Sequence, residues 1–482
     1  MAINTQSNLV VSKIAIIGAG VSGLAAAKQL RHHDPIVFEA TDSIGGVWKG
    51  CSYHSTKLQS ARSDYEFTDF PWPNRSSPDF PSHIEVLDYL ESYAKHFDLL
   101  KCVRFNSKVV AIRFIAASRT ADFDGEYDTP LPDHPVWEVA VQTNNSDSIQ
   151  WYGFEFVVVC PGKYGDIPRI PTFPENIGPE KFEGEVLHCL DYCKLDKEAA
   201  TQLLRGRRVV VVGYKKSAID LALECAEANQ GADGQPCTVL VRTIHWTVPH
   251  YMRRGVSKFI ESYLLWKLPL LKYGLKPDHP FEEDYASCQM AIMPENFFSE
   301  ADKGKIVFKR TSKWWFWEGG IEFEDNTKLE ADVVIFATGY DGKKKLKAIL
   351  PEPFCSLLEY PSGIIPLYRG TIHPLIPNMG FVGYIESVSN LHTAELRSIW
   401  LARLIDSKFK LPSVEKMFEQ ISKEMEVTKQ STRFYKRHCI STFSINHSDE
   451  ICQEMGWNPW RKKNWFSEAF SPYGSQDYVL EK

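Results

Sequence analysis

Apolar positions along the chain fall into two patterns. Short unbroken runs predict strands buried on both faces: Ile14–Ile17, Phe154–Cys160, Val209–Val212, Thr238–Val241 and Ala331–Ala337. Val109–Phe114 and Trp137–Val141 predict further strands. Elsewhere the apolar residues recur every three or four positions, as at Ile84, Leu87, Leu90, Tyr93, Ala94 and Phe97, and predict helices. A helix is expected from about Ser217 to Ala228. The stretch Ala116–Pro135, rich in Asp, Gly and Pro, predicts a loop or hairpin excursion. Strands alternating with helices predict an α/β fold with parallel sheets.

Two of the strands run straight into glycine turns. The first is Ile14-Ala-Ile-Ile-Gly18-Ala19-Gly20-Val21-Ser22-Gly23-Leu24. Gly18 makes the tight turn, Gly20 lets the backbone approach a pyrophosphate, and Gly23 lets helix and strand pack closely. The helix start then offers free N–H groups and partial positive charge to phosphates. A second apolar strand ends at Glu39, about 20 residues on, where a carboxylate can accept ribose hydroxyls. The second turn is Gly213-Tyr214-Lys215-Lys216-Ser217-Ala218, followed by a strand ending at Arg242. An arginine there can pair with a 2′-phosphate, where NAD-specific sites place an acid. Two nested Rossmann-like dinucleotide-binding domains follow: a first part over 1–170, an inserted domain over 171–330, a return segment over 331–430 and a wrapping extension over 431–482.

Composition removes alternatives. A net charge of −6 with scattered charges gives no basic face for nucleic acid, and Lys343, Lys344 and Lys345 read as a solvated turn. Eleven cysteines without a C-x-x-C pair point to reduced thiols and argue against a zinc site or a disulfide oxidoreductase centre. No signal segment and no apolar run of roughly 20 residues is visible, so a soluble cytoplasmic protein is expected.

Four further motifs complete an ordered set. They are Gly45-Gly46-Val47-Trp48; Phe182-x-Gly184-x-x-x-His188-x-x-x-Tyr192; Arg242; and Ala337-Thr338-Gly339-Tyr340. The set resembles the flavin-containing monooxygenase family, whose F-x-G-x-x-x-H-x-x-x-[YF] fingerprint the second motif matches. Lys57–Pro73, Lys163–Pro171, Lys215–Leu223, Arg433–Ile445 and Ala469–Tyr478 resemble its plant branch, which extends to pipecolate N-hydroxylation in systemic defence. The resemblance implies FAD at Gly18–Gly23 and Glu39, with Gly46 and Trp48 packing near the flavin or forming a core turn. It implies NADPH at Gly213–Ala218 and Arg242. It also implies transfer of oxygen from a C4a-hydroperoxyflavin to a nucleophilic nitrogen or sulfur of a small substrate. Gln59 stands where many members carry an Asn beside the flavin, and Arg397 and Lys57 are conceivable anchors for a substrate carboxylate. His188 and the Thr338-Gly339 turn read as structural.

Two departures stand out. Lys215 replaces the second glycine of the NADPH turn, where its ammonium could neutralise a pyrophosphate as a point charge. The chain also passes from His250 to Val256 where relatives carry a few dozen additional residues. A second functional reading is another substrate in the same chemistry, by S-oxygenation of thioethers or an indole-pyruvate oxidation; the shortening raises a third, a weakly coupled flavoprotein that releases H2O2 or binds a partner.

Overall fold

The computed structural model describes residues 10–115, 130–143, 148–249, 257–360, 363–442, 444–471 and 473–478. Most of the Ala116–Pro135 excursion and the 250–256 junction lie outside the described residues.

The first sheet runs in the order Val103–Arg104, Ile36–Phe38, Val10–Ile17, Ile149–Val159, Trp137–Thr143, Ser107–Phe114. The first four strands are parallel, and the last two continue as an antiparallel meander. The central strand Ile149–Val159 serves two neighbours on one edge. Its first half pairs with Trp137–Thr143, and its end pairs with Met379–Phe381. Its buried run from Tyr152 to Val159 is what a strand covered on both faces requires. Helix Val21–Leu30 carries Ala25, Ala26 and Ala27, all fully buried, and these small side chains let it lie close to helix Asn390–Ile405 with its buried Leu396 and Trp400.

The second sheet is fully parallel, in the order Ile306–Arg310, Cys237–Val241, Val209–Val212, Val333–Phe336, Glu185–His188. Here one expectation is corrected. The strand within Ala331–Ala337 does not open the return to the first domain; it sits between Val209–Val212 and Glu185–His188 in the second sheet. A buried four-residue apolar run fits the centre of either sheet equally well, so its pattern does not say which. The chain touches the first sheet's edge at Ile349, whose carbonyl accepts from Ile112 N–H, and adds a strand to that sheet at Met379–Phe381.

Beyond residue 431 the chain forms helices Ser444–Glu454 and Trp465–Phe470. It buries Ile451, Cys452, Met455, Trp457 and Tyr478 in the core of the first unit, although its sequence carries no evident core pattern.

The expectation of reduced thiols is corrected at one pair: Cys288 and Cys439 form a disulfide across 151 residues, joining the second unit to the C-terminal extension. The partners lie on loops that only the fold brings together, so spacing could not reveal them. The lysine run is corrected too. The run lies in helix Gly342–Lys347; Lys345 donates to Pro161 O at 2.6 Å and pairs with Asp166, Lys343 bonds Gly363 O, and both are half-buried, while Lys344 is exposed as expected.

Candidate active site

Each nucleotide turn sits where a strand with parallel neighbours meets a helix. Gly18 has φ +97°, and a Cβ there would stand 2.8 Å from Cys160 O. At Gly23 a Cβ would fall 1.8 Å from Gly18 O, so only glycine lets the helix begin this close to the strand. Gly20 and Gly46 face each other: a Cβ on Gly46 would lie 3.2 Å from Gly20 Cα. Ala19 is buried, while Val21 and Ser22 are half-buried, and Ser22 lies against Gly383 just past Met379–Phe381. The helix has no side-chain cap, so its first-turn N–H groups remain for a ligand. A glycine-walled, uncapped helix start of this kind fits a dinucleotide pyrophosphate.

Glu39 follows directly on the strand Ile36–Phe38, at the expected place, and is buried. Its Oε2 accepts from Ala19 N–H at 2.7 Å, and its Oε1 accepts from the Thr41 N–H at 2.9 Å and hydroxyl at 2.8 Å. The carboxylate therefore also holds the glycine turn in shape, with lone pairs to spare. Trp48 Nε1 donates to Tyr65 OH at 3.0 Å, and burial pushes the Tyr65 phenol up to about 12.

At the second turn Gly213 has φ +140°, and a Cβ would stand 2.6 Å from Ala337 O. Helix Lys216–Ala228 also lacks a side-chain cap at its start, where Lys215 holds the cap position. Tyr214 and Ala218 are buried, and Ser217 pairs with the Tyr53 hydroxyl. Lys216 pairs with buried Asp220, whose carboxyl is raised to about 6 by burial against the pull of Lys216. Lys215 bonds Gln289 Oε1, and burial, assisted by the Arg437 charge, brings its ammonium down to about 7. Arg242 is exposed just past the strand end. Beside it, Arg310 lies opposite Val241 on the neighbouring strand, a second cation at this edge that the sequence reading did not single out.

The two units are bolted together by side chains. Gln59 Oε1 accepts from Ile292 N–H at 3.0 Å, leaving its amide NH2 to donate. Glu224, on the second-turn helix, accepts from Ser55 N–H at 2.9 Å, from the Ser55 hydroxyl at 2.6 Å and from Tyr192 OH at 2.6 Å. His188 caps the helix Cys189–Tyr192, with Nδ1 accepting from Leu190 N–H at 3.1 Å. Burial lowers its pKa, so it is a neutral structural group packed edge-on against Tyr340. Gly184 lets its strand lie against Asp332 O, under the Phe182 ring. Arg169 N donates to Gly339 O at 2.9 Å, and Thr338 donates to Arg169 O, tying the linker between units to the second sheet.

Arg397 is corrected as a substrate anchor. It is 2% exposed, donates to Arg369 O at 3.0 Å and to Thr393 O at 3.2 Å, and contacts His447 Nδ1 at 3.1 Å. Lys57 is exposed.

A group the sequence reading missed gathers at the junction: Lys163, Tyr164, Gln289, Glu386 and Arg437 beside Lys215. Tyr164 OH donates to Glu386 Oε1 at 2.7 Å, Arg437 Nε to Glu386 Oε2 at 2.5 Å, and Arg437 Nη1 to Gln289 Oε1 at 3.2 Å. Two of the stretches that resemble the plant branch contain Lys163, Tyr164 and Arg437, but nothing local marks them as neighbours.

Known proteins share this architecture. A family described as "FMO-like: Flavin-binding monooxygenase-like" matches residues 11–464, so the chain belongs to it. "Probable flavin-containing monooxygenase 1" of Arabidopsis thaliana is 64% identical over 518 aligned positions, covering 99% of this chain and 98% of the relative. That alignment is longer than the 482-residue chain, so this relative carries residues the chain lacks. "Putative flavin-containing monooxygenase 2" of the same plant is 66% identical over 450 positions, covering 93% of this chain and 98% of the relative, with almost no such insertion. Among solved structures, OTEMO in complex with FAD and NADP shares the fold (TM-score 0.67, 18% identity, 89% and 92% coverage). So does an S-allyl-L-cysteine S-oxygenase from Allium sativum (TM-score 0.58, 21% identity, 93% and 90% coverage). The protein is an enzyme of the flavin-containing monooxygenase class, and its two nucleotide turns agree with FAD and NADPH as its cofactors. No helix among the described residues is long and apolar enough to cross a membrane.

Proposed function

We propose that the enzyme uses NADPH and O2 to N-hydroxylate a small secondary amine, with pipecolate as the leading candidate. In balance, the amine, O2, NADPH and a proton give the hydroxylamine, NADP+ and water. The observation that supports the cofactor half of this reading is the glycine-walled, uncapped helix start of the first sheet and the uncapped start behind Gly213 on the second, held together by Gln59 and Glu224; the amine substrate rests on the resemblance to the plant branch. Gly18–Gly23 and Glu39 hold the FAD, with Gly46 and Trp48 on its flavin side; Gly213–Ala218 and Arg242 hold the NADPH. Bound FAD supplies the activation of O2, chemistry that side chains lack. The chain binds and orients the partners and keeps water out, and the Gln59 amide can donate to an oxygen or carboxamide between the units. No nucleophile or acid–base pair is required of the protein.

The test is product analysis with purified enzyme. Pipecolate is expected to accelerate NADPH consumption and to yield one hydroxylated product per NADPH. A panel of thioethers separates S-oxygenation. NADPH consumption that no amine or thioether changes, with peroxide released in step, contradicts the proposal and supports the weakly coupled flavoprotein.

A further inference from the structure

The junction cluster holds more positive charge than its fold requires. Lys163 and Arg437 pair with one carboxylate, Glu386, and Lys215 joins them through Gln289; Asp284 also faces Lys215 but bonds His245 and the Trp246 N–H, so no second carboxylate is hydrogen-bonded into the group among the described residues. Lys163 Nζ is 3.4 Å from Glu386 Oε1 and donates to Arg437 O at 3.1 Å. Arg437 Nη2 donates to Tyr164 OH at 2.9 Å. The side chains of Lys163, Glu386 and Arg437 are 19%, 7% and 27% exposed. Burying cations in excess of anions is costly unless an anion completes the set. Among the described residues, the three cations also keep N–H donors beyond their bonds to Glu386, Gln289, Tyr164 OH and Arg437 O, at the place where both nucleotide units meet the C-terminal extension. Burial lowers the pKa of the Lys163 and Lys215 ammonium groups, while Arg437 and Lys163 hold the Glu386 carboxyl below its ordinary value against its own burial.

We propose that Lys163, Lys215 and Arg437, with Tyr164 and Gln289 orienting them, form an oxyanion-binding subsite for a carboxylate or phosphate group. Two sources share that chemistry: the carboxylate of an amino-acid substrate, which rests on the function proposed above, and a phosphate of the dinucleotide, which does not rest on the substrate. Glu386 sets the depth of the subsite by neutralising part of the charge and holding the Arg437 fork in place.

The test is calorimetric titration of the FAD-loaded full chain with NADP+, with pipecolate, and with piperidine, which has the same ring and no carboxylate. In Lys163→Gln and Arg437→Gln, binding of one anionic ligand is expected to weaken on the order of tenfold, as for loss of a charge-assisted contact, with Arg437→Lys in between and piperidine unchanged. Weakened NADP+ assigns a phosphate, and weakened pipecolate assigns the substrate carboxylate. Folded, yellow variants that bind both as the wild type does overturn the subsite. Should the variants not fold, acetic anhydride labelling of the wild type decides: protection of Lys163 and Lys215 by either ligand upholds the proposal, and unchanged labelling overturns it. Should the functional reading itself fail, so that neither ligand binds, inorganic pyrophosphate becomes the probe. Its protection of the two lysines upholds the subsite, and its failure to protect them overturns it.

Discussion

At the scale of single residues, glycine geometry and side-chain charge decide what the two turns can hold. Gly18 combines a positive φ with a carbonyl 2.8 Å from where a Cβ would go. Gly18→Ala is therefore expected to destabilise the first unit by about 2 kcal/mol or more and to lower the flavin content of purified protein. Flavin absorbance per chain and the Tm check this, and a variant with full flavin and unchanged Tm refutes it. Arg242 is exposed and available to a 2′-phosphate, so Arg242→Gln is expected to raise KM for NADPH on the order of tenfold while leaving that for NADH unchanged. Lys215 brings pH into the account. Its ammonium is lowered to about 7, first by burial and then by Arg437, with Glu386, Asp284 and Arg169 also facing it. A bound anion raises that pKa, so the complex holds more protons than the free enzyme and affinity falls as pH rises. NADP+ is expected to bind more tightly near pH 6 than near pH 8.5, by up to about tenfold, with Lys215→Met flattening the profile. A pH-independent wild-type affinity contradicts this.

At the scale of elements, what was legible in the sequence was what neighbouring residues write locally. The glycine turns, the strand ending at Glu39 and helix His83–His96 follow from short-range pattern, and the structure shows each. The sheet that receives Val333–Phe336 was not legible, because an apolar run records burial and not its neighbours. Arg397 illustrates the same limit: a lone arginine on a helix carries no local sign that its partners will be carbonyls and a histidine far along the chain. The junction cluster draws on segments around 163, 215, 289, 386 and 437, so only the fold assembles it. The Cys288–Cys439 bridge is of this kind. Denatured, unreduced protein is expected to take nine alkyl labels, one for each free cysteine, and eleven after reduction, as read by intact mass. Eleven without reduction contradicts the bridge.

At the scale of the whole molecule, two dinucleotide units are joined through Gln59, Glu224 and the junction cluster, and a C-terminal extension packs on the first unit and reaches the second through its disulfide. Such an arrangement suits a reaction in which reductant, oxygen and substrate must meet away from water. Family membership establishes the monooxygenase class, and the structure shows how side chains clamp its two units together. The most direct measurement of the central claim is the stoichiometry of NADPH consumed, hydroxylated product formed and H2O2 released, with and without pipecolate. Faster NADPH consumption with product matching NADPH and little peroxide is predicted. NADPH consumption indifferent to pipecolate, with peroxide matching NADPH, would contradict it.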